Sequence, residues 1–181
     1  MFIDICDSTR TMETHGIKHF LKIYDALEGM AKDLQTTHSW FYKKGLGDGF
    51  MLAYVERLKA VQAALLLLEQ VSRYNDTAND DYKMDIRIGA DYGEVERAHD
   101  NDCFGLPVNK AARIEGLIGK AVEKDKKVKR GTPFPVKNRL LVSQAVYEDP
   151  KVNGSFQCIY LGKADLKGVD GLRNIYHIKK V

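Results

Sequence analysis

The sequence predicts an α+β sandwich: a mostly antiparallel sheet flanked by helices. Three observations carry this. Strand-like apolar runs alternate with stretches of helical periodicity along the whole chain. A glycine-rich segment, Gly45-Leu46-Gly47-Asp48-Gly49, separates two of those runs as a hairpin turn. The order is strand, helices, hairpin, helix, strand, helix, then strands with one more short helix. Ferredoxin-like and palm-like folds have this character. They host many activities, so function has to be read from a site. At 181 residues the chain suits one domain over 1–181 with a sizeable core.

Phe2-Ile3-Asp4-Ile5-Cys6 reads as a buried strand that begins almost at the first residue. That strand is expected to be short, or to lack a few residues before it. Asp7-Ser8-Thr9 has helix-start chemistry. Ile17, Phe20, Leu21, Tyr24, Leu27, Ala31 and Leu34 recur at helical spacing, which predicts a helix or helix pair. Strands are expected over 39–42 and 50–55, on either side of the glycine-rich turn. Leu58, Val61, Leu65, Leu68 and Val71 mark a second helix, and 84–90 the next strand. A polar segment, 94–102, leads to a helix holding Val108, Ala111, Ala112 and Ile118. A basic insertion over 124–137 contains Pro133 and Pro135. A strand at 140–142 follows, then a short helix capped by Ser143, and strands at 156–160 and 174–178 close the sheet.

Apolar content of 44% and charged content of 29% exclude global disorder. A net charge of +3 is too weak to argue for nucleic acid or a membrane surface. Much of the excess sits in the run from Lys124 to Arg130, read as a solvated loop. Cys6, Cys103 and Cys158 are odd in number and form no CxxC pair. This argues against a disulfide framework or zinc ribbon and for a reducing cytoplasm. No signal peptide is visible, and the longest apolar run, 63–68, is too short to cross a bilayer. The expectation is a cytoplasmic protein with no membrane segment and no nucleic-acid partner.

Two acids stand out. Asp4 interrupts an apolar strand, where a lone carboxylate is costly unless paired or bound to a cation. Asp48 sits at the hairpin tip. If these two elements are neighbours, both carboxylates point at one place. Without His or Cys partners they favour a hard cation, Mg²⁺ or Mn²⁺, of the kind that bridges phosphate oxygens. An ordinary turn aspartate and a helix-proximal cap are the competing readings. Further on, Asn109 and Arg113 lie four apart on a predicted helix and share a face. An amide with a guanidinium suits a sugar and a phosphate oxyanion. A plain surface pair is the alternative.

Taken together, these segments resemble class III nucleotide cyclase catalytic domains. Phe2-Ile3-Asp4-Ile5-Cys6-Asp7-Ser8-Thr9 is similar to their first metal motif. Lys44-Gly45-Leu46-Gly47-Asp48 is similar to the second, with a base-binding lysine four residues earlier. Arg87-Ile88-Gly89-Ala90-Asp91-Tyr92-Gly93 resembles the following strand, and 102–113 the base, ribose and phosphate segment. Leu166-Lys167-Gly168-Val169 with Ile175-Tyr176 resembles the end of the domain. Each motif is weak; five in order are strong.

The resemblance implies the class III cyclase fold. It implies two ions per active site, Mn²⁺ or Mg²⁺, at metal positions Asp4, Ile5 and Asp48. It implies phosphate contacts at Asp7, Ser8 and Thr9, assisted by Lys167. Asn109 would orient the ribose and Arg113 would stabilise the transition state. It also implies a head-to-tail homodimer with shared sites, acting on a nucleoside triphosphate.

For the base, Lys44 and Asp102 stand where adenine-selective members carry a lysine and an aspartate, which gives adenylate cyclase as one reading. Two features favour a pyrimidine. The segment from Gly93 to Asp102 is short, and Arg97 lies five residues before Asp102. An arginine there followed by an acid is similar to the small pyrimidine cyclases of bacterial anti-phage defence. Uracil offers acceptors at O2 and O4 around an N3–H donor, which Arg97, Lys44 and Asp102 match. Phe41, Tyr42 or Tyr92 would fill the room of a purine ring. UTP is therefore the expected substrate, CTP the next, with an effector that binds the cyclic nucleotide downstream.

Other classes fit less. His15 and His19 share i, i+4 spacing but lack a metalloprotease acid and a third ligand. Trp40-Phe41-Tyr42 resembles a stacking strand of an RNA-binding module. That reading leaves Asp4, Asp48, Asn109 and Arg113 unexplained. Gly47-Asp48-Gly49-Phe50 faintly resembles the turn of diguanylate cyclases, without the full signature.

Overall fold

The structure, a computed structural model, describes residues 1–98 and 102–181. The part of the predicted polar segment that falls on 99–101 lies outside the described residues. The chain opens with β1 (Phe2–Ile5), α1 (Ser8–His15) and α2 (Ile17–Thr37), the two helices parted by Gly16. Then come β2 (Tyr42–Gly45), β3 (Gly49–Ala53), α3 (Arg57–Thr77) and β4 (Ile86–Ala90). A two-stranded ribbon, β5 (Glu96–Arg97) with β6 (Cys103–Phe104), leads into α4 (Leu106–Glu115). The remainder is β7 (Val122–Glu123), β8 (Arg139–Ser143), α5 (Gln144–Tyr147), α6 (Pro150–Ser155), β9 (Gln157–Asp165) and β10 (Leu172–Lys179).

The main sheet has the order β2-β3-β1-β4-β8-β10-β9-β7. Every pairing in it is antiparallel except β4 with β8. The α+β sandwich with a mostly antiparallel sheet is therefore observed. No helix among the described residues is long and apolar enough to cross a membrane.

Strand alternation divides the sheet into two faces. Ile3, Ile5, Ile86, Ile88, Leu140 and Val142 turn toward α2 and α3 and form the main core with Phe20, Leu27, Val61 and Leu67. The residues between them turn the other way, so Asp4 and Arg87 share the face that α4 covers. Gly89 sets how closely α4 lies. A Cβ there would come within 2.2 Å of the Glu115 nitrogen and 2.4 Å of the Ala111 carbonyl oxygen. The backbone of α4 therefore rests directly on β4.

Several expectations are corrected. The first hairpin strand runs from Tyr42 to Gly45, not over 39–42. Gln35, in the last turns of α2, holds both backbone groups of Trp40, donating to its carbonyl at 3.2 Å and accepting from its N–H at 3.0 Å. Residues 39–41 thus complete the helix exit rather than a ladder. Ser143 stands at the start of α5, but its hydroxyl donates to Asp91 and makes no cap bond. The short α6 was not expected; the Asp149 carboxylate caps it, accepting from the Lys151 N–H at 2.9 Å. The run from Lys124 to Arg130 is the exposed loop expected, and the insertion around it is tied down at several points. Lys124 donates to the Thr132 carbonyl at 2.8 Å, Tyr160 donates to Asp125 at 2.8 Å, and Arg139 donates to the Pro135 carbonyl at 2.6 Å.

Candidate active site

In the β1–β3 ladder Asp4 lies opposite Gly49, the residue after Asp48. A side chain at Gly49 would put its Cβ 2.0 Å from the Ile3 carbonyl oxygen, so glycine lets the hairpin close onto β1. The Ile5 N–H then donates to the Asp48 carbonyl at 3.2 Å. Sequence reasoning placed Asp4, Ile5 and Asp48 at one site, and the fold brings them together.

Burial raises the Asp4 pKa, and the neighbouring Asp48 carboxylate raises it further by charge and by direct contact. The hydrogen bond from Arg87 opposes both. Asp48 Oδ2 accepts from Ser8 Oγ at 2.6 Å. The Ile5 side chain is buried in the core, so only its main chain can offer a ligand.

This donor set fits a hard divalent cation. Among the described residues no group of three or more His, Cys, Asp or Glu side chains could hold a metal. Two adjoining carboxylates and a main-chain oxygen leave positions for water and phosphate oxygens, the usual arrangement for Mg²⁺ on a nucleotide.

The first turn of α1 adjoins this pair. Asp7 takes a left-handed conformation, φ 57°, and makes no side-chain cap bond, which leaves the leading N–H groups of the helix without one. Such an N-terminus is suited to an anion. Ser8 is buried and committed to Asp48, whereas Asp7 and Thr9 are exposed.

Two residues in this cluster carried no expected role. Arg87 donates to Asp4, and its Nε lies 3.0 Å from Glu115 Oε1. Burial and the Asp4 charge push the Glu115 carboxyl up to about 7, against the pull of Arg87. A signal existed: Arg87 is a lone charge between apolar strand residues, as Asp4 is. Opposite lone charges on neighbouring buried strands are partners by necessity.

A second cluster holds the expected base-binding residues. Lys44 pairs with Asp102. Tyr42 donates to Asp102 Oδ1 at 2.7 Å, as does the Cys103 N–H at 2.9 Å. The Lys44 ammonium first, then the Tyr42 hydroxyl, hold the Asp102 carboxyl down at about 2. The Arg97 guanidinium lies over the Tyr42 ring, 5.9 Å from its centre. Lys44, Arg97 and Asp102 line one open depression of about 510 Å³ with Trp40, Phe41 and Tyr42. Tyr92 is not part of it; its ring lies under Arg57, 4.5 Å from the guanidinium, beside a separate apolar cavity. Of the three aromatics expected near the base, Phe41 and Tyr42 are there.

Asn109 and Arg113 lie on the outer face of α4, both exposed, while Ala111 and Ile114 pack inward. Lys167 is exposed in the turn between β9 and β10. Among the described residues, none of these three side chains pairs with Asp4 or Asp48 of the same chain.

Comparison with known proteins identifies the family. The profile of the adenylate and guanylate cyclase catalytic domain matches residues 1–180. The pH-sensitive adenylate cyclase MT1302 of Mycobacterium tuberculosis (strain CDC 1551 / Oshkosh) is 28% identical over 180 residues, covering 99% of this chain. The chain spans only 40% of that relative's length. Among solved structures, the catalytic core of a rhodopsin-guanylyl cyclase with converted specificity, in complex with ATPαS, superposes with a TM-score of 0.77. The identity is 20%, over 99% of this chain and 92% of the other. The adenylyl cyclase CyaB from P. aeruginosa gives a TM-score of 0.73 at 17% identity, over 99% of this chain and 92% of the other. The protein is thus a member of the adenylate and guanylate cyclase catalytic domain family, and its fold is theirs.

Proposed function

We propose that this chain, as a single catalytic domain over 1–181, converts a nucleoside triphosphate to its 3′,5′-cyclic monophosphate and pyrophosphate, with UTP preferred and CTP next. The observation that carries the reading is the contact between the Asp4 and Asp48 carboxylates beside the uncapped start of α1. Two divalent cations, Mn²⁺ or Mg²⁺, held by Asp4, the Ile5 main chain and Asp48 would lower the pKa of the ribose 3′-hydroxyl and neutralise the phosphates.

The chain's own groups do the rest. Ser8 fixes the rotamer of Asp48. The first N–H groups of α1, at Ser8 and Thr9 after Asp7, take the terminal phosphates, with Lys167 assisting. Asn109 orients the ribose. Arg113 offsets charge that builds on the α-phosphate as the 3′-oxygen bonds to phosphorus and the bond to the leaving pyrophosphate breaks. Because Asn109 and Arg113 face solvent in one chain, each active site takes them from a second copy, in a homodimer.

For the base, Lys44 donates, Asp102 accepts and Arg97 donates, which complements O4, N3–H and O2 of uracil. The placement of Arg97 in the same depression as the Lys44–Asp102 pair supports this reading. An adenylate cyclase is the second reading. Lys44 with Asp102 alone suits N1 and the amino group of adenine, and the Mycobacterium relative is named an adenylate cyclase. A role in antiviral signalling through a cyclic-nucleotide-binding effector follows only from the resemblance of the Arg97–Asp102 segment.

The test is incubation with Mn²⁺ and each ribonucleoside triphosphate separately, with the cyclic product identified by mass spectrometry. Cyclic UMP is expected to dominate, and Arg97→Ala to lower the UTP-to-ATP rate ratio about tenfold, the scale of one charged hydrogen bond. Cyclic AMP as main product overturns the base assignment. No cyclic product from any triphosphate overturns the activity.

A further inference from the structure

One guanidinium stands between two carboxylates at the candidate metal site. Arg87 is the ladder partner of Asp4, and its Nη2 donates to Asp4 Oδ2. Its Nε lies 3.0 Å from Glu115 Oε1. All three side chains are mostly covered, with 29% of Arg87, 21% of Asp4 and 14% of Glu115 exposed. The two contacts are unequal. Arg87 Nε and Glu115 Oε1 are buried and close, yet among the described residues neither makes a well-directed hydrogen bond. The formed bond goes to Asp4, the expected cation ligand.

We propose that Arg87 is the resident counter-ion of the metal site, neutralising Asp4 until a divalent cation displaces it, and that Glu115 is the positioning residue that receives the displaced guanidinium. The proposal rests on the cyclase reading. Its physical basis is charge and geometry. Asp4 and Asp48 touch, so two negative charges would repel in a partly buried place without a cation beside them. A divalent ion on the same carboxylates would meet the Arg87 charge at short range and drive it off. The Glu115 backbone rests directly on Gly89, which keeps the residue seated beside β4 and its Arg87. The guanidinium has only to turn about its Nε, already beside Glu115, to complete that pair.

The experiment is Mn²⁺ affinity without nucleotide, by electron paramagnetic resonance at pH 8. The proteins are wild type, Arg87→Gln, Glu115→Gln, the double variant and Asp48→Asn. Arg87→Gln is expected to tighten Mn²⁺ binding about tenfold, and Glu115→Gln to weaken it about fivefold, the range of close charge pairs. Bulk charge predicts the same signs, so the double variant decides. It is expected to match Arg87→Gln within about twofold, since Glu115 acts only through Arg87. Additive effects of the two substitutions overturn the proposal. Should Arg87→Gln fail to fold, Arg87→Lys replaces it. An ammonium without the Nε contact should abolish the response to Glu115→Gln, and a persisting response overturns the proposal. Wild-type binding that survives Asp48→Asn overturns the metal reading itself and the counter-ion role with it.

Discussion

Mixing Asp48→Asn protein with Arg113→Ala protein is expected to restore about a quarter of wild-type turnover, although each variant alone is nearly inactive. Arg113→Ala removes a cation from the reacting phosphate, a loss of about 10²–10³ in kcat for such a donor. Asp48→Asn removes a metal carboxylate but keeps an oxygen that accepts from Ser8, so the hairpin stays formed. Arg113 and Asn109 are exposed on α4 and have no partner among the described residues of their own chain. If they serve the partner's metal pair, a mixed dimer has one site with both defects and one with none. Random assortment makes about half the dimers mixed, each with one of two sites intact, which gives the quarter. Mixed dimers shown to form by native mass spectrometry, yet without recovery, would contradict the shared site.

The second large effect is structural. Arg139 is 1% exposed and donates to three carbonyls: Pro135 at 2.6 Å, Glu115 at 2.8 Å and Leu117 at 2.6 Å. Its guanidinium lies 4.9 Å from the centre of the Phe134 ring. Burial first, then the neighbouring Arg87 charge, lowers its pKa to about 10, which still leaves a charged donor among these acceptors at neutral pH. Arg139→Ala strands the carbonyls in the interior and removes the platform under Phe134. A loss of about 4 kcal/mol in urea denaturation is expected, from several unmade hydrogen bonds with a charged donor. Hydrogen exchange should rise over 117–137, because the same side chain ties the insertion to the end of α4. A loss below about 1 kcal/mol would show that the insertion is held elsewhere.

Much of this was legible in the sequence. Short apolar runs gave the strands around Ile3, Ile88 and Leu141, because those strands are buried in the sheet, and 3.6-residue periodicity gave α2 and α3, because one face of each helix is buried. Gly45, Gly47 and Gly49 marked the hairpin, and the hairpin placed Asp48 beside Asp4. The boundary of β2 was not legible. Gln35 holds Trp40 across five residues, and a polar side chain gripping backbone leaves no hydropathy signal. The insertion was read from its basic run and prolines, whereas its order comes from Phe134 and Arg139 near its end and from the distant Tyr160, contacts that charge patterning does not show. Arg87 and Glu115 were missed for a related reason. Arg87 carried a signal as a lone charge in an apolar strand, but its partner shows only in the β1–β4 ladder, and Glu115 looks ordinary until the seat of α4 on Gly89 brings it to Arg87.

The most direct test is a crystal of the protein soaked with Mn²⁺ and a non-cyclisable nucleoside triphosphate analogue, with anomalous scattering used to locate the ion. The account predicts manganese at about 2.1 Å from carboxylate oxygens of both Asp4 and Asp48. Bound analogue with manganese absent from that pair, or held by other side chains, would contradict it.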